Sequence, residues 1–204
     1  MSTPTASRRR PGRPAQFDRD AALSALLLLL WTKGYDAATQ EEMLAATGLS
    51  SSTLYRSFGT KADILEAALA RYLAWADEML GPLERGDRGL ADVQAFFDNL
   101  EGLLGGPLST AGCLVWNTMQ NPINDESRIK ALTERYMQRL RRALTAALQR
   151  AVDAGEALPL PPEGLADVLR SGVVGVQARG RAGDIDDATT MLDGLRALLG
   201  RGEP

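Results

Sequence analysis

Apolar residues recur near the start of this chain with the spacing of an amphipathic helix. The apolar stripe is formed by Leu23, Leu26, Leu27 and Leu30. These positions fall at i, i+3, i+4 and i+7, which predicts a helix over residues 18–33 that ends at Gly34. Leu28 and Leu29 widen the stripe beyond one face, so either the helix is buried on two sides or Leu28 is exposed.

Three helix-start signals follow within a short stretch of sequence. Residues 39–42 read Thr-Gln-Glu-Glu, the form of a capping box, which predicts a short helix over residues 40–46. Gly48 ends that helix, Ser50 caps the next short one, and Thr60 caps a third helix. Two short helices joined by a tight glycine-containing turn are typical of a helix-turn-helix, with the first helix completing a three-helix core.

Helical spacing continues through the rest of the chain. It predicts one long helix from Thr60 that ends at Gly81-Pro82. Five more helices are predicted over residues 89–104, 109–120, 125–153, 163–182 and 185–199. Because no alternating strand pattern appears, the sequence predicts an all-α fold, with an N-terminal three-helix helix-turn-helix domain followed by a C-terminal helical bundle.

Composition excludes several classes of site. The chain has 204 residues, of which 45% are apolar, so it can bury a core. It contains no histidine and one cysteine, which removes histidine-based acid–base catalysis, Cys/His metal clusters and any disulfide within one chain. No pairing of a nucleophile with a base is visible. We therefore expect a protein that is not an enzyme and that carries no cofactor and no metal.

Charge divides the chain into a basic start and an acidic remainder. Residues 1–61 carry 8 basic and 5 acidic side chains, a net charge of +3, whereas residues 62–204 carry 15 basic and 21 acidic, a net charge of −6. This asymmetry suits a small anion-binding module fused to a larger unit, although a difference of this size is also common by chance. Residues 1–16 are rich in Pro, Ser, Thr and Arg and lack an apolar period, which predicts a flexible basic arm.

The apolar stretch Ala21–Trp31 imitates the hydrophobic part of a signal peptide, because arginines precede it. It is too short to span a bilayer. Asp18 and Asp20 interrupt the charge pattern, and no small-residue cleavage site follows. We therefore expect a cytoplasmic protein that does not associate with a membrane, and the lone Cys113 agrees with a reducing compartment.

Residues 39–61 contain what reading duplex DNA requires: a slender element, small polar side chains at its tip, and donors for phosphates. The predicted recognition helix opens with Ser50, Ser51, Ser52 and Thr53. The absence of a carboxylate there leaves the helix N-terminal N–H groups open to anions. Leu54 and Phe58 should face the core. Lys61 lies in the first turn of the next helix, where the dipole disfavours a cation, so it is either a phosphate contact or a solvated lysine.

Three runs of sequence resemble the DNA-binding domain of TetR-family transcriptional regulators. They are GYDAAT at residues 34–39, AATGLS at 45–50 and LYRSFGTK at 54–61, within a match of roughly residues 17–65. The resemblance implies phosphate contacts from Tyr55 and Lys61, an approach to base edges by Ser51, Ser52 and Thr53, capping by Ser50, and a backbone contact from Thr39.

One departure from the family pattern concerns specificity. Many relatives place Arg or Lys at the start of the recognition helix, whereas this chain has Ser-Ser-Ser-Thr. Specificity would then come from water, from DNA shape or from Arg56. The arginines at positions 8, 9, 10 and 13 either enter a minor groove or belong to a solvated tail.

The resemblance also implies that residues 62–204 form a ligand-binding and dimerisation domain, joined to a DNA-binding domain at residues 17–61. Candidate ligand residues are Trp75, Met79, Phe96, Phe97, Leu100, Cys113, Trp116, Asn117, Met119, Gln120 and Tyr136. Each apolar candidate has the alternative of simple core packing. The alternative for Asn117 and Gln120 is that both side chains are exposed to solvent. Cys113 is either a buried packing residue or a sensor of electrophiles.

The last two predicted helices carry small residues among valines, which permits close helix packing across a two-fold axis. Candidate dimer residues are Val168, Gly172, Val173, Val176, Met191 and Leu195. Two heads would then face DNA half-sites about 34–36 Å apart. The first hypothesis is a dimeric repressor that leaves a near-palindromic DNA operator when a small-molecule effector binds. The alternative is a helical small-molecule-binding protein with a vestigial helix-turn-helix, and activation instead of repression also stays open.

Overall fold

The computed structural model describes residues 17–200, and every regular element in that range is helical. The α-helices are α1 (Arg19–Lys33), α2 (Gln40–Thr47), α3 (Ser51–Phe58), α4 (Lys61–Arg85), α5 (Leu90–Leu104), α6 (Leu114–Met119), α7 (Ser127–Asp153), α8 (Pro162–Arg181) and α9 (Ile185–Leu199). A 3-10 turn, Pro122–Asp125, precedes α7. The predicted all-α fold is confirmed, and the predicted arm at residues 1–16 lies outside the described residues.

Side-chain caps begin the helices of the helix-turn-helix where the sequence predicts them. The Thr39 hydroxyl accepts the N–H of Glu42, and the Glu42 carboxylate accepts the N–H of Thr39. Ser50 Oγ accepts the N–H of Thr53 at 3.3 Å. Between α2 and α3 the chain turns at Gly48, whose φ of +66° is strained for any residue that has a Cβ atom.

Helices α1, α2 and α3 form a small unit, here named the head. Its core is built from Leu26, Leu30, Met43, Leu54 and Phe58. The buried positions of Leu54 and Phe58 confirm the predicted inner face of α3. Leu28 is 49% exposed, which confirms the second of the two alternatives for α1.

Helix α4 does not end at Gly81-Pro82 as predicted but continues to Arg85. Proline clashes with the Cβ of the preceding residue in a helical backbone, and Gly81 has no Cβ atom. Leu80 and Leu83 on either side are fully buried, so core packing offsets the hydrogen bond that Pro82 lacks. The first half of this longer helix packs against the head, α6 and the start of α7, and its second half packs against α5 and the rest of α7.

The predicted helix over residues 109–120 is wrong in its first part, since α6 covers only Leu114–Met119. Gly112 adopts φ +64° just before it. A Cβ atom at Gly112 would approach the Gln177 carbonyl oxygen to 3.1 Å, so this residue also allows the loop to lie close to α8. Local apolar spacing does not report such a backbone reversal.

Helices α5 to α9 form a second unit, here named the body. Its core includes Phe97, Leu144, Leu148, Leu169 and Leu192. Val152 continues the i, i+4 series of Leu140, Leu144 and Leu148 in the sequence, which places it on the buried stripe of α7, but it is 42% exposed and the buried position is taken by Ala151. Because an α-helix has about 3.6 residues per turn, positions four residues apart are not aligned along it. A long i, i+4 series therefore drifts around the helix, and its last member leaves the buried face. No helix within residues 17–200 is long and apolar enough to cross a membrane.

The hairpin of α8 and α9 uses its small residues for packing within the chain. A Cβ at Gly172 would collide with the side chain of Leu195, and one at Gly175 would come within 2.8 Å of Met191 Cε. Val176 is fully buried in the body core. The small residues of α8 therefore allow α8 and α9 to pack closely against each other within one chain.

Candidate nucleic-acid interface

The N-terminal end of α3 presents a cluster of hydroxyl groups to solvent. Ser50 Oγ lies 3.2 Å from Ser52 Oγ and 2.9 Å from Thr53 Oγ1. The first turn of α3 contains no acidic residue, and Ser52 is exposed. This end of the helix therefore combines hydroxyl donors and acceptors with the positive end of the helix dipole, which suits phosphate oxygens and base edges.

Gln40 was missed at the sequence level and lies beside this cluster. Its side-chain Nε2 donates to Ser51 Oγ at 3.0 Å, so the start of α2 is bonded directly to the start of α3. The only available signal was its position immediately after the capping residue Thr39. Thr39 itself is exposed, and its hydroxyl already accepts the Glu42 N–H.

Tyr55 and Arg56 lie on the part of α3 that turns away from the core. Leu54 is fully buried, whereas Tyr55 is half-buried and Arg56 is exposed. No carboxylate within residues 17–200 forms an ion pair with Arg56. Its guanidinium therefore keeps its charge available for an anion outside the described chain.

Lys61 occupies a fixed position instead of projecting freely into solvent. Its Nζ lies 4.7 Å from the centroid of the Tyr35 ring and 3.5 Å from the Asp36 carbonyl oxygen. A cation over an aromatic face is stabilised by the ring quadrupole. The loop between α1 and α2 thus holds the Lys61 ammonium group beside the first turn of α4.

A second cation lies at the C-terminal end of α3. The Arg19 guanidinium carbon is 4.7 Å from the Phe58 ring centroid, and its Nη2 donates to the Ser57 carbonyl at 3.5 Å. No sequence motif includes Arg19. The start of α1 therefore lies beside the end of α3 and places a cation there.

Arg128 at the start of α7 bonds the body to the first two turns of α4. Its guanidinium pairs with Asp63 and with Glu66 of α4, and with the neighbouring Glu126. The Arg128 hydrogen bond, followed by hydrogen bonds from Thr60, lowers the pKa of Asp63 from 3.8 to about 2. Asp63 is also the capping partner of Thr60, so this contact stabilises the start of α4.

Replacing Arg128 by glutamine should therefore raise the pKa of Asp63 toward 3.8, although the Thr60 hydrogen bonds will keep it below that value. Because the pKa of Asp63 is lower in the folded than in the unfolded chain, the ionised carboxylate stabilises the folded state at pH values above the unfolded pKa. This contribution to the free energy of unfolding is lost as the pH falls from about 4 toward about 2. The variant should accordingly unfold at a higher pH on acidification. NMR titration of the Asp63 carboxyl carbon measures the shift, and Arg141→Gln, which breaks an ion pair with Asp167, is the control. An unchanged Asp63 titration would contradict the assignment.

An aromatic cluster connects α1, α4 and α7 behind the head. The Trp31 ring packs edge-on against Tyr72, with centroids 5.0 Å apart, and lies 5.4 Å from Trp75. Tyr136 completes the cluster at 6.4 Å from Tyr72. Trp75 and Tyr136, both predicted ligand residues, therefore belong to one aromatic cluster, in which each contacts Tyr72.

Cys113 lies against this cluster and begins α6. Its sulfur accepts hydrogen bonds from the Tyr72 hydroxyl at 3.6 Å and from the Trp116 N–H at 3.5 Å. The thiol is buried, and burial raises its pKa. Because the thiolate is the reactive form, these surroundings favour the packing interpretation of Cys113 over the sensor interpretation.

The remaining predicted ligand residues separate into two groups. Phe96, Phe97 and Leu100 lie in the body core, with Met79 packed against it. A small cavity of about 20 Å³ borders Leu100 and Trp31. Trp116, Asn117 and Gln120 instead line a cavity of about 500 Å³ between the head and the body. Met119 packs on the head side. The structure thus does not bring the predicted ligand residues together around one space.

The predicted dimer residues also differ in exposure. Val168 is 43% exposed on α8. Gly172, Met191 and Leu195 are half-buried in the α8–α9 contact. Val173 is 3% exposed and Val176 is fully buried, and both pack into the chain's own body core.

Two family models match the chain. The model described as bacterial regulatory proteins, tetR family, matches residues 22–68, and the model described as tetracyclin repressor-like, C-terminal domain, matches residues 89–193. The HTH-type transcriptional repressor ComR of Escherichia coli is 44% identical over 62 residues, which is 30% of this chain and 30% of ComR. The chain thus matches less than a third of the length of that relative.

Solved structures share the fold over nearly the whole chain. A TetR-family transcriptional regulator from Agrobacterium tumefaciens is 20% identical, with a TM-score of 0.79 over 91% of this chain and 97% of that one. A cysteine mutant of the TetR-family regulator CifR, complexed with 26-bp double-strand operator DNA, is 20% identical, with a TM-score of 0.77 over 94% and 100%. At this level of identity the similarity establishes the fold alone.

Proposed function

The chain belongs to the TetR family of bacterial regulatory proteins, and from this premise we propose that it is a transcriptional repressor that binds double-stranded operator DNA through α3. The observation that carries the proposal is the composition of the α3 surface. Exposed hydroxyls stand at a helix N-terminus without any carboxylate, with Arg56 on the same helix and Lys61 fixed beside it. The hydroxyls suit base edges and the cations suit flanking phosphates.

The relatives support the same function. ComR is described as a repressor, and the structural neighbour CifR was solved with operator DNA. We infer that this chain acts by binding instead of by catalysis, and that it works in the cytoplasm, where bacterial DNA lies. A small-molecule effector would release it from the operator, as the family resemblance implies.

A homodimer would present two α3 helices to a near-palindromic operator. The outer surface of the α8–α9 hairpin is the proposed interface, because exposed small and apolar residues lie there. They are Gly164, Val168, Gly194 and Ala197. Val173 and Val176 support that surface from inside and would not contact the partner.

Fluorescence anisotropy tests DNA binding directly. The purified chain is titrated onto a duplex from its own upstream region and onto a scrambled duplex, across a salt series. We expect tighter binding to the first duplex and an affinity that falls with salt, because phosphate neutralisation releases counterions. Equal, weak binding to both duplexes at low salt would favour the vestigial helix-turn-helix.

Two substitutions in the same assay test individual contacts. Lys61→Ala should weaken binding to both duplexes and reduce the log–log salt slope by about 1, because one phosphate contact is lost. Tyr55→Phe removes one hydroxyl and should weaken binding with little change in that slope. Circular dichroism should show unchanged helicity in both. Wild-type operator affinity in both variants would exclude this surface as the contact.

A further inference from the structure

A cavity of about 500 Å³ lies at the junction of the head and the body, and it is named the junction cavity below. The end of α1 and the loop Tyr35–Ala37 form one wall, α6 and Asn121 form the second, and the last turn of α8 forms the third. Its volume lies in the range of small-molecule sites, about 300–1,000 Å³. Cavities of about 520 Å³ between α4 and α7 and about 550 Å³ beside Pro122–Asp125 have similar volumes, so the lining residues, not the volume, distinguish the junction cavity.

The charged side chains of the junction cavity differ in what they already contact. Lys33 is paired with Glu42, and the Asp36 carboxylate accepts a hydrogen bond from the Asn121 amide. Arg181 donates from Nη1 only to neutral groups, the carbonyls of Trp31 at 3.2 Å and Ala111 at 3.0 Å. No carboxylate within residues 17–200 forms an ion pair with it.

Arg181 is therefore a half-buried cation whose charge is not balanced by a neighbouring acid of the described chain. A Cβ at Gly34 would lie 3.3 Å from its Nη2, so that nitrogen reaches the wall of the cavity formed by Gly34. A guanidinium offers several N–H donors in a planar fork, which fits the two oxygens of a carboxylate.

The rest of the lining is largely apolar. Leu30, Leu65 and Leu114 are buried at the cavity wall, and Trp116 and Ala178 add apolar surface that is partly open. Within residues 17–200 neither Arg181 nor Asp36 has an ion-pair partner, but the Asp36 carboxylate already accepts a hydrogen bond from the Asn121 amide. The Arg181 guanidinium beside the apolar wall matches a ligand with one anionic end and an apolar remainder. A highly charged ligand such as a nucleotide would leave most of its charge unpaired here.

We propose that the junction cavity binds a small molecule that carries one carboxylate on an apolar body, with Arg181 pairing with the carboxylate and Trp116 covering the apolar part. This rests on the proposed function, because it names the chemical class and the site of the effector. It differs from the sequence-level expectation, in which a ligand lies among Phe96, Phe97 and Leu100 inside the body.

The position of the cavity connects ligand binding to DNA binding. Tyr35 and Asp36, which line it, are the residues that hold Lys61 in place. Arg181 also bonds the end of α1, through the Trp31 carbonyl, to the body. A ligand carboxylate that competes for this guanidinium therefore loosens the head, displaces the loop and moves the Lys61 ammonium group, which lowers DNA affinity.

Tryptophan fluorescence of the full chain without DNA tests the site itself. Hexanoate, octanoate, benzoate and phenylacetate are titrated against the four matching primary amides. We expect saturable binding of at least one carboxylate, and binding of its amide about tenfold weaker because a charge-assisted pair is lost. Saturation by none of the four acids, or equal binding of acid and amide, would overturn the proposal.

Matched variants locate the binding. Arg181→Gln should weaken binding of the acid about tenfold, since one charge-assisted pair is removed, and Arg181→Lys should restore part of it. Arg179→Gln, two residues earlier on α8 and paired with Asp187, should bind as the wild type does. Because Arg181→Gln also removes bonds to two carbonyls, Ala178→Leu provides a second variant that fills the cavity and removes no polar contact. Wild-type binding by Ala178→Leu and by a folded Arg181→Gln would place the ligand elsewhere.

An anisotropy titration with DNA separates the two proposals. The saturating carboxylate should lower the operator affinity of the wild type. Arg181→Gln lacks the bond to the Trp31 carbonyl that the ligand would break, so it should bind the operator more weakly without ligand and show no further loss when the carboxylate is added. A chain that binds no DNA even without ligand would overturn the proposed function and leave the fluorescence result standing. A chain that binds DNA and also binds the carboxylate, yet with unchanged operator affinity, would overturn the regulatory role of the cavity.

Discussion

Replacing Ser52 by glutamate is expected to abolish most operator binding while slightly raising the thermal stability of the protein. Ser52 is exposed in the first turn of α3, and that turn contains no acidic residue. Loss of one direct base contact costs about 1–3 kcal/mol. A new carboxylate that faces phosphates adds electrostatic repulsion to this loss. We therefore expect operator affinity to fall roughly a hundredfold or more.

The stability effect has the opposite sign because the helix dipole favours the same carboxylate. An acid in the first turn of a helix stabilises it by about 0.3–1 kcal/mol. A substitution that weakened DNA binding by unfolding the head would lower both quantities together. Opposite changes in operator affinity and in melting temperature therefore identify a direct contact.

Ala91→Glu provides the matched control for this experiment. Ala91 is exposed in the first turn of α5, in the body, and the substitution places the same charge at an equivalent helix position. Operator affinity of this control should stay within about twofold, because exposed charges farther away than a Debye length of about 8–10 Å are largely screened. Unchanged operator affinity in Ser52→Glu would show that the start of α3 does not face DNA.

The head is the part of the molecule that the sequence predicts best, because its determinants are local. Thr39, Ser50 and Thr60 each accept the backbone N–H three residues later, and Gly48 takes the left-handed conformation between two helices. A cap or a turn depends on residues only a few positions apart. The apolar faces of α1 and α3 follow for the same reason.

The contacts that place the head on the body could not be predicted, because they join residues far apart in the chain. Arg181 bonds the carbonyl of Trp31, 150 positions earlier, and Asn121 bonds Asp36, 85 positions earlier. Neither Arg181 nor Asn121 belongs to a motif. Sequence spacing gives no sign that the last turn of α8 meets the end of α1.

Helix ends in the body show how tertiary packing overrides local signals. Gly81-Pro82 is a strong stop signal, yet α4 continues because Leu80 and Leu83 are buried on both sides of it. The local sequence around Gly112 does not indicate that the helix predicted over residues 109–120 begins only at Leu114. The backbone reversal at Gly112 is needed where the loop passes close to α8, and that proximity is not encoded locally.

Core and ligand-pocket residues were the hardest to separate, because the same large apolar side chains serve both. Phe97 was a ligand candidate, and in the structure it is fully buried in the body core. Phe97→Ala is therefore expected to lower the free energy of unfolding by about 3–5 kcal/mol, the usual cost of deleting a buried phenylalanine ring. For a domain of this size the melting midpoint should fall by roughly 6–20 °C.

A pocket role for Phe97 leads to a different result. A side chain that lines an open ligand site loses few packing contacts on truncation, so stability would change by less than about 1 kcal/mol. Chemical denaturation at one fixed protein concentration measures the difference, since dissociation of a dimer makes stability depend on concentration. Leu28→Ala, at a leucine that is 49% exposed, is the control and should stay within about 0.5 kcal/mol of wild type. A wild-type midpoint for Phe97→Ala would mean that the body core opens around this ring, and the effector site would then have to be sought inside the body instead of at its junction with the head.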